Sequence, residues 1–172
     1  MKTLIDVRNN VRLLSLIMIA VLALPLVTSA QAGKIDFTGS WTLNADKSTM
    51  GDGPRMGGGD FTAKQEGNAL TVDRSFTTRD GQTINSTMKY TLDGKESVNT
   101  SPRGDSKSVA SWSADSKILT IKTSRTFNMN GESRTMNSTE VWTITDPRTI
   151  TINSTMSTPN GDRTTTMVYE RK

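Results

Sequence analysis

After residue 33, apolar and polar residues alternate in one segment after another. Every second position from Leu119 to Met129 forms one apolar row, interrupted by Thr123 and Arg125, and a second row covers residues 70–76. Successive side chains of a β-strand point to opposite faces of the sheet, whereas helices need apolar residues three and four positions apart. No segment after residue 33 shows the helical spacing over two turns. The pattern therefore predicts an all-β domain of antiparallel strands, each with one buried and one solvated face.

Turn-forming pairs of residues separate these rows. Asn-Gly and Asp-Gly pairs favour the positive φ values of hairpin turns, and proline presets φ for a turn. Consecutive hairpins make a single antiparallel up-and-down meander, and about ten short strands most simply close into a barrel, which removes exposed edges. We place the strands at residues 35–44, 60–66, 69–78, 82–92, 96–101, 107–114, 117–129, 132–145, 148–158 and 162–171.

The loop of each hairpin fixes which residues lie opposite each other. We expect two-residue loops at Asn130-Gly131 and Asn160-Gly161 and a three-residue loop at 79–81, because these lengths keep the apolar rows on one face. The predicted opposite pairs are Leu119 with Trp142, Ile121 with Glu140, Ile152 with Tyr169, Phe76 with Ile84 and Val72 with Met88.

The first 32 residues have the layout of an export signal. Three basic residues precede the apolar run at 13–24, and the segment 28–32 has the small-x-small pattern of a signal peptidase site. We predict cleavage near Ala32 and a soluble periplasmic or extracellular domain covering 33–172. A retained membrane anchor is the alternative, although the apolar run is short. The domain itself contains no apolar run long enough to span a membrane.

Residue types that the chain lacks exclude several functions. It contains no cysteine and no histidine, which excludes disulfides, thiol nucleophiles, Cys/His metal sites and histidine acid–base catalysis. No triad or paired-carboxylate spacing stands out among the remaining polar residues. The formal net charge of +4 is too small an excess to indicate nucleic-acid binding. We therefore expect a monomeric, non-enzymatic protein with no catalytic residues, no metal and no cofactor.

Motifs at the two ends of the domain suggest a family. Residues 37–43 read F-x-G-x-W-x-L, residues 93–97 form an Asp-Gly hairpin, and residues 166–172 read T-M-V-Y-E-R-K, which is similar to the closing-strand pattern T-R-x-Y-x-K. In these segments the chain resembles the calycins, the superfamily of lipocalins and fatty-acid-binding proteins. The resemblance implies a lipocalin-like barrel in which Trp41, two residues after Gly39, plugs one end. It also implies that Arg171, from the last strand, lies across that tryptophan.

Two departures from the family pattern limit what carries over. Fatty-acid-binding proteins hold the ligand carboxylate with an Arg-x-Tyr pair of the last strand, and here Met167 stands at the arginine position before Tyr169. The fatty-acid site is therefore not expected. The family also places two lid helices after the first strand, but residues 45–60 are too few and too rich in glycine for that. We expect a flexible loop there and no lid helices.

Two arginines interrupt the apolar rows at matching places in similar hairpins. If these rows face the interior, Arg74 and Arg125 point inward, where a charge needs a partner and Glu140 is available. They form either an anion clamp or an internal Arg–Glu network, or they reach the barrel mouth. The hypothesis is an exported protein that binds a small apolar or amphipathic molecule. The alternative is a ligand-free envelope or interaction domain. The candidate binding residues are Arg74, Arg125, Glu140, Tyr90, Met88 and Tyr169.

Overall fold

Ten antiparallel strands account for most of the residues that the structure, a computed structural model, describes. Those residues are 34–49, 59–77, 81–101, 104–129 and 131–172, and they belong to the compact unit Ala32–Lys172. The other unit, Met1–Gln31, lies outside them, and so does the predicted cleavage site. The strands are β1 (Gly39–Thr49), β2 (Phe61–Glu66), β3 (Ala69–Thr77), β4 (Thr83–Thr91), β5 (Glu96–Asn99), β6 (Ser106–Trp112), β7 (Ile118–Met129), β8 (Glu132–Asp146), β9 (Thr149–Thr158) and β10 (Gly161–Arg171).

The strands form one sheet in the order β4-β3-β2-β1-β10-β9-β8-β7-β6-β5. Each strand therefore pairs with its neighbours along the chain, except that β4 and β5 do not pair with each other, and β1 also pairs with β10, as an up-and-down meander requires. The two strands at the ends of this order, β4 and β5, come together through side-chain hydrogen bonds instead of a backbone ladder. The predicted all-β meander is confirmed, and it forms a nearly closed barrel.

Most of the predicted hairpin registers are confirmed. Across β7 and β8, Leu119 lies opposite Trp142 and Ile121 lies opposite Glu140. Across β3 and β4, Val72 lies opposite Met88, and Phe76 pairs with Ile84 as a three-residue loop requires. In both hairpins the turn residues and the alternation of the strands point to the same register, which is why the sequence was sufficient.

The predicted register of the last hairpin is wrong. Ile152 lies opposite Met167 instead of Tyr169, because the loop consists of Pro159 and Asn160. Proline favours the second position of such a turn, and the Thr158 hydroxyl group accepts a hydrogen bond from the Asn160 amide at 3.3 Å. The error is two residues, so every side chain keeps its predicted face.

The bounds of the first strand also differ from the prediction. We expected 35–44, whereas β1 begins at Gly39 and ends at Thr49. Residues 45–49 of the predicted flexible loop 45–60 are therefore part of a strand, which pairs with β10 as far as Thr49 opposite Thr166. The central part of that predicted loop, 50–58, lies outside the described residues.

The core lies on the inward rows of the barrel. The described residues contain no helix, and therefore no helix that could cross a membrane. Polar inward positions are concentrated at one end, where Ser86 is exposed and Ser138 and Ser154 are half-buried. The buried apolar residues are Phe37, Trp41, Phe61, Ala63, Leu70, Val72, Tyr90, Leu92, Ala110, Leu119, Ile121, Trp142, Ile150, Ile152, Met167 and Tyr169.

Candidate ligand-binding site

Aromatic side chains fill one end of the barrel interior, which we call the closed half. Phe61 meets Tyr169 with ring centroids 4.8 Å apart and meets Trp142 at 5.4 Å, both edge to face. Phe37 meets Trp142 in the same manner at 5.5 Å. Such pairs add stabilisation to the large apolar areas that these side chains bury. The closed half is defined by Phe37, Trp41, Phe61, Trp142 and Tyr169, all of them buried.

Trp41 closes this end of the barrel together with Arg171. The Trp41 side chain is fully buried, and its Nε1 donates a hydrogen bond to the Phe37 carbonyl oxygen at 3.0 Å. The Arg171 guanidinium lies 4.8 Å from the Trp41 ring centroid and donates to the Thr38 carbonyl oxygen at 3.0 Å. Gly39 has φ of +153°, and a Cβ atom there would lie 3.4 Å from Arg171 Nε. The positive φ, which L side chains rarely adopt, explains why glycine stands two residues before the tryptophan.

Arg74 belongs to a buried polar network beside the aromatic residues. Its Nη2 lies 3.4 Å from Glu140 Oε2, and the same oxygen accepts a hydrogen bond from Trp142 Nε1 at 2.8 Å. The guanidinium lies 5.3 Å from the Phe61 ring centroid and 5.7 Å from that of Trp142. Burial by itself lowers the pKa of Arg74, but the charge of Glu140 outweighs it and holds the pKa above its ordinary value. The structure thus places Arg74 in the internal Arg–Glu network that the sequence left as one of its alternatives.

Both tyrosines of the chain adjoin this network. Burial raises the pKa of Tyr90 and also that of Tyr169, because a phenolate is poorly solvated there. The Tyr169 hydroxyl group lies 3.4 Å from Met167 Sδ, the residue that replaces the arginine of the family pattern. Tyr169 therefore has a thioether at position 167 instead of the guanidinium that the family pattern places there.

The other end of the interior, which we call the open half, contains a cavity of about 460 Å³. Its wall combines two apolar side chains, one arginine and several hydroxyl and amide groups. This volume lies within the usual range of small-molecule sites, ~300–1,000 Å³. Ten residues line the cavity: Ile84, Asn85, Ser86, Thr87, Met88, Asn99, Thr100, Ser101, Ser106 and Arg125.

Arg125 is the cationic group of the open half. It lies on β7, opposite Ser106 of β6 and Met136 of β8, and six residues from Leu119 in the core. Six residues of a strand span about 20 Å, so Arg125 lies toward the opposite end of the barrel from Leu119, although its charge still acts on Tyr90. Unlike Arg74, Arg125 forms no ion pair with any carboxylate in the described part of the chain. Its guanidinium is available to an anionic group in the cavity.

A smaller recess of about 300 Å³ lies where β2 begins, between Asp60 and Lys172. Lys172 Nζ lies 3.0 Å from Asp60 Oδ2, and the Leu43 amide donates to the other carboxylate oxygen at 3.1 Å. Partial burial raises the pKa of Asp60, but Lys172 and the Leu43 amide outweigh it and hold the pKa below its usual value. Asp60, Lys172 and Arg74 at this recess are thus already in ion pairs, and Asp73 accepts a hydrogen bond from the Thr87 hydroxyl group, which makes the recess a weaker candidate than the larger cavity.

The six residues predicted to bind a ligand divide between the two halves. Met88 and Arg125 line the cavity, whereas the other four, Arg74, Glu140, Tyr90 and Tyr169, form or adjoin the network of the closed half. Sequence reasoning missed the hydroxyl and amide wall, three of whose seven residues lie at or just beyond the end of β5. The run Asn99-Thr100-Ser101 carries no apolar alternation, and this break marks the point where the strand leaves the sheet. Within the described residues, no cluster of acidic side chains could hold a metal ion.

Comparison with known proteins identifies the architecture. No protein-family model matches the sequence, and no curated protein matches it. Among solved structures, a secretary abundant heat soluble (SAHS) protein from Ramazzottius varieornatus matches with a TM-score of 0.55 at 13% identity, covering 81% of this chain and 97% of that one. Zebrafish ileal bile acid-binding protein, complexed with cholic acid, matches with a TM-score of 0.51 at 16% identity, covering 79% and 98%. The fold is a calycin-like barrel. At these identities the likeness is one of fold, and the resemblance inferred from the end strands is confirmed at that level.

Proposed function

We propose that the protein binds a small amphipathic molecule in the open half of the barrel, with Arg125 facing the polar end of the ligand. The cavity of about 460 Å³ carries this proposal, because it combines Ile84 and Met88 with a cation that has no ion pair among the described residues. The comparison with a barrel that holds cholic acid supports binding in general. Binding rather than catalysis also agrees with the lack of acid–base and nucleophile arrangements in the sequence.

The polar wall restricts which ligands fit. Seven of the ten lining residues are Ser, Thr or Asn, so the cavity offers hydrogen bonds beside its apolar surface. A ligand that is apolar throughout would displace water from these groups without replacing its hydrogen bonds, which costs free energy. The proposed ligand therefore carries an apolar part for Ile84 and Met88, and an anionic end for Arg125.

Two matched fluorescent probes test this proposal. 1-Anilinonaphthalene-8-sulfonate is an amphipathic anion, and N-phenyl-1-naphthylamine is its neutral analogue without the sulfonate. We expect saturable 1:1 binding of both, with tighter binding of the anion because it pairs with Arg125. Ser86→Trp, which fills the cavity from the inward row of β4, should abolish binding, whereas Thr135→Trp on the exposed outer surface should not. Binding that survives Ser86→Trp would contradict the proposed site.

Native mass spectrometry of the protein purified from its own host complements the probes. A retained small molecule would support the binding function and give the ligand's mass. An unliganded mass, together with no binding of either probe, would favour a ligand-free envelope or interaction domain. The same spectra measure the oligomeric state, for which we propose a monomer.

We also propose that the protein acts outside the cytoplasm, after removal of residues 1–32. The basic start, the apolar run at 13–24 and the small-x-small site at 28–32 support export. Intact-mass measurement of the protein from culture supernatant and envelope fractions tests this. A mature chain that starts at Gly33 is the expected result, and a full-length chain in the membrane fraction would indicate a retained anchor.

A further inference from the structure

The backbone pairing of neighbouring strands is interrupted between β4 and β5. These strands are consecutive and are joined by the turn at 92–95, yet no backbone ladder forms between them. All other neighbouring strands pair through backbone hydrogen bonds, including the twelve residue pairs between β7 and β8. The β4–β5 boundary, which we call the seam, is therefore the weakest line in the described wall of the barrel.

Two polar side chains of β5 hold the seam together. Asn99 Oδ1 accepts a hydrogen bond from the Lys89 amide at 2.8 Å, and Asn99 Nδ2 donates to the Lys89 carbonyl oxygen at 3.0 Å. Closer to the turn, Ser97 Oγ accepts from the Thr91 amide at 2.8 Å. The Asn99 side chain thus satisfies both main-chain groups of Lys89, as a paired strand would do.

The cavity reaches the outside at this seam. Its lining includes the inward residues Ser86 and Met88 of β4 and also the outward residues Asn85 and Thr87. A cavity bordered by both faces of one strand opens past the edge of that strand. Asn99 is part of the same wall, so the side chain that holds the seam is also in contact with the cavity.

We propose that the ligand enters and leaves through the seam, and that Asn99 controls this passage. The inference rests on the proposed binding function and specifies the route to that site. Opening requires the loss of the Asn99–Lys89 hydrogen bonds, whereas opening the wall elsewhere would break a continuous ladder. The turn provides a fixed end for the movement, because the Leu92 amide donates to the Asn68 carbonyl oxygen at 2.8 Å and the Gly94 amide donates to that of Ala110 at 3.1 Å.

Loosening the seam is the first arm of the test. Asn99→Ala removes both hydrogen bonds to Lys89, and we expect association and dissociation of 1-anilinonaphthalene-8-sulfonate to accelerate together, by about fivefold or more, in stopped-flow fluorescence. The matched control is Asn153→Ala, because Asn153 also accepts a side-chain hydrogen bond, from Thr166 at 2.8 Å, but lies on paired strands. Unchanged rates in Asn99→Ala would overturn the proposal.

Locking the seam is the second arm. Thr91 Oγ1 and Ser97 Oγ lie 3.1 Å apart, so cysteines at these positions can form a disulfide across the seam. The chain has no cysteine of its own, so no other pairing competes. Because the disulfide extends the fixed end of the seam from the turn toward Asn99, we expect slower association in the oxidised form and recovery upon reduction. The control pair, Thr155→Cys with Thr164→Cys, joins hydroxyl positions 3.4 Å apart on paired strands and should leave the rates unchanged.

Hydrogen exchange separates failure of this inference from failure of the proposed function, because it needs no ligand. The Lys89 amide should exchange faster than those of Met88 and Tyr90, which face the paired β3 side, and Asn99→Ala should accelerate it further. If the protein binds neither probe, the binding function is wrong, and the exchange data still measure whether the seam opens. If Lys89 exchanges as slowly as Tyr90, the seam does not open and the route is wrong.

Discussion

The two halves of the barrel interior are lined by the same strands but are stabilised differently. On β8, Trp142 is buried among aromatic rings in the closed half, whereas Met136, six residues away, is half-buried near the open half. The closed half combines large apolar side chains with a charge pair, and the open half combines small hydroxyl groups with an arginine that has no ion pair among the described residues. This difference agrees with the proposal that one end stabilises the barrel and the other binds the ligand.

Removing an aromatic ring from the closed half should have the largest effect. Trp142→Ala deletes a fully buried side chain and should lower the free energy of unfolding by about 3–5 kcal/mol. Met88→Ala, at the cavity, should lower it by only about 1 kcal/mol because the side chain is half-buried. Urea unfolding of both variants measures the difference. Equal losses would mean that the open half contributes to the core as much as the closed half does.

Breaking the buried Arg74–Glu140 pair should have the second-largest effect on the free energy of unfolding. Arg74→Met leaves Glu140 without its cation and should cost about 2–3 kcal/mol, below the usual loss for a fully buried pair because the Glu140 side chain is 25% exposed. Adding Glu140→Gln removes the orphaned charge and keeps an acceptor for Trp142 Nε1, so the double variant should recover part of the loss. A double-mutant cycle in urea gives the coupling energy. A double variant that is less stable than Arg74→Met would show that the pair itself is not the source of the loss.

The sequence predicted the fold well because the alternation of apolar and polar residues and the turn-forming pairs were both clear in most hairpins. Strand alternation and the Asn130-Gly131 turn define one register between them, and the structure has that register. Where two turn signals compete, as Pro159-Asn160 and Asn160-Gly161 do, the sequence alone does not decide between them. The structure resolves this case through the Thr158 side chain, which closes the proline turn.

The site was less predictable because it depends on which elements meet across the barrel. Arg74 and Arg125 occupy equivalent positions in similar hairpins, and the sequence does not say which of them Glu140 accompanies. Barrel closure brings β3 and β8 face to face inside, and this alone pairs Glu140 with Arg74. The bonds of Asn99 at the seam likewise depend on the divergence of β4 and β5, for which the only signal in the sequence is the loss of alternation after residue 98.

Tyrosine ionisation reports on the surroundings of the buried network. The chain has two tyrosines, both beside the buried network, and burial raises the pKa of each above the ordinary value of 10.0. Their pKa is thus higher in the folded than in the unfolded state, so their contribution to the unfolding free energy is constant well below pH 10 and is lost as the pH rises through the folded values. We expect no tyrosinate absorbance at pH 10 until urea unfolds the protein. Absorbance that develops at pH 10 in the folded protein would show that water reaches the closed half.

The smallest effect on stability should come from the second arginine. Arg125→Met removes a half-buried cation that has no ion pair among the described residues, so the free energy of unfolding should change by less than about 0.5 kcal/mol. Its effect should fall on binding instead: the preference for 1-anilinonaphthalene-8-sulfonate over N-phenyl-1-naphthylamine should be lost, whereas Arg125→Lys should retain part of it. Compared with Arg74→Met, this variant separates stability from binding at two equivalent positions of similar hairpins. A large loss of stability in Arg125→Met would place this arginine in the core and remove the charge on which the proposed ligand preference depends.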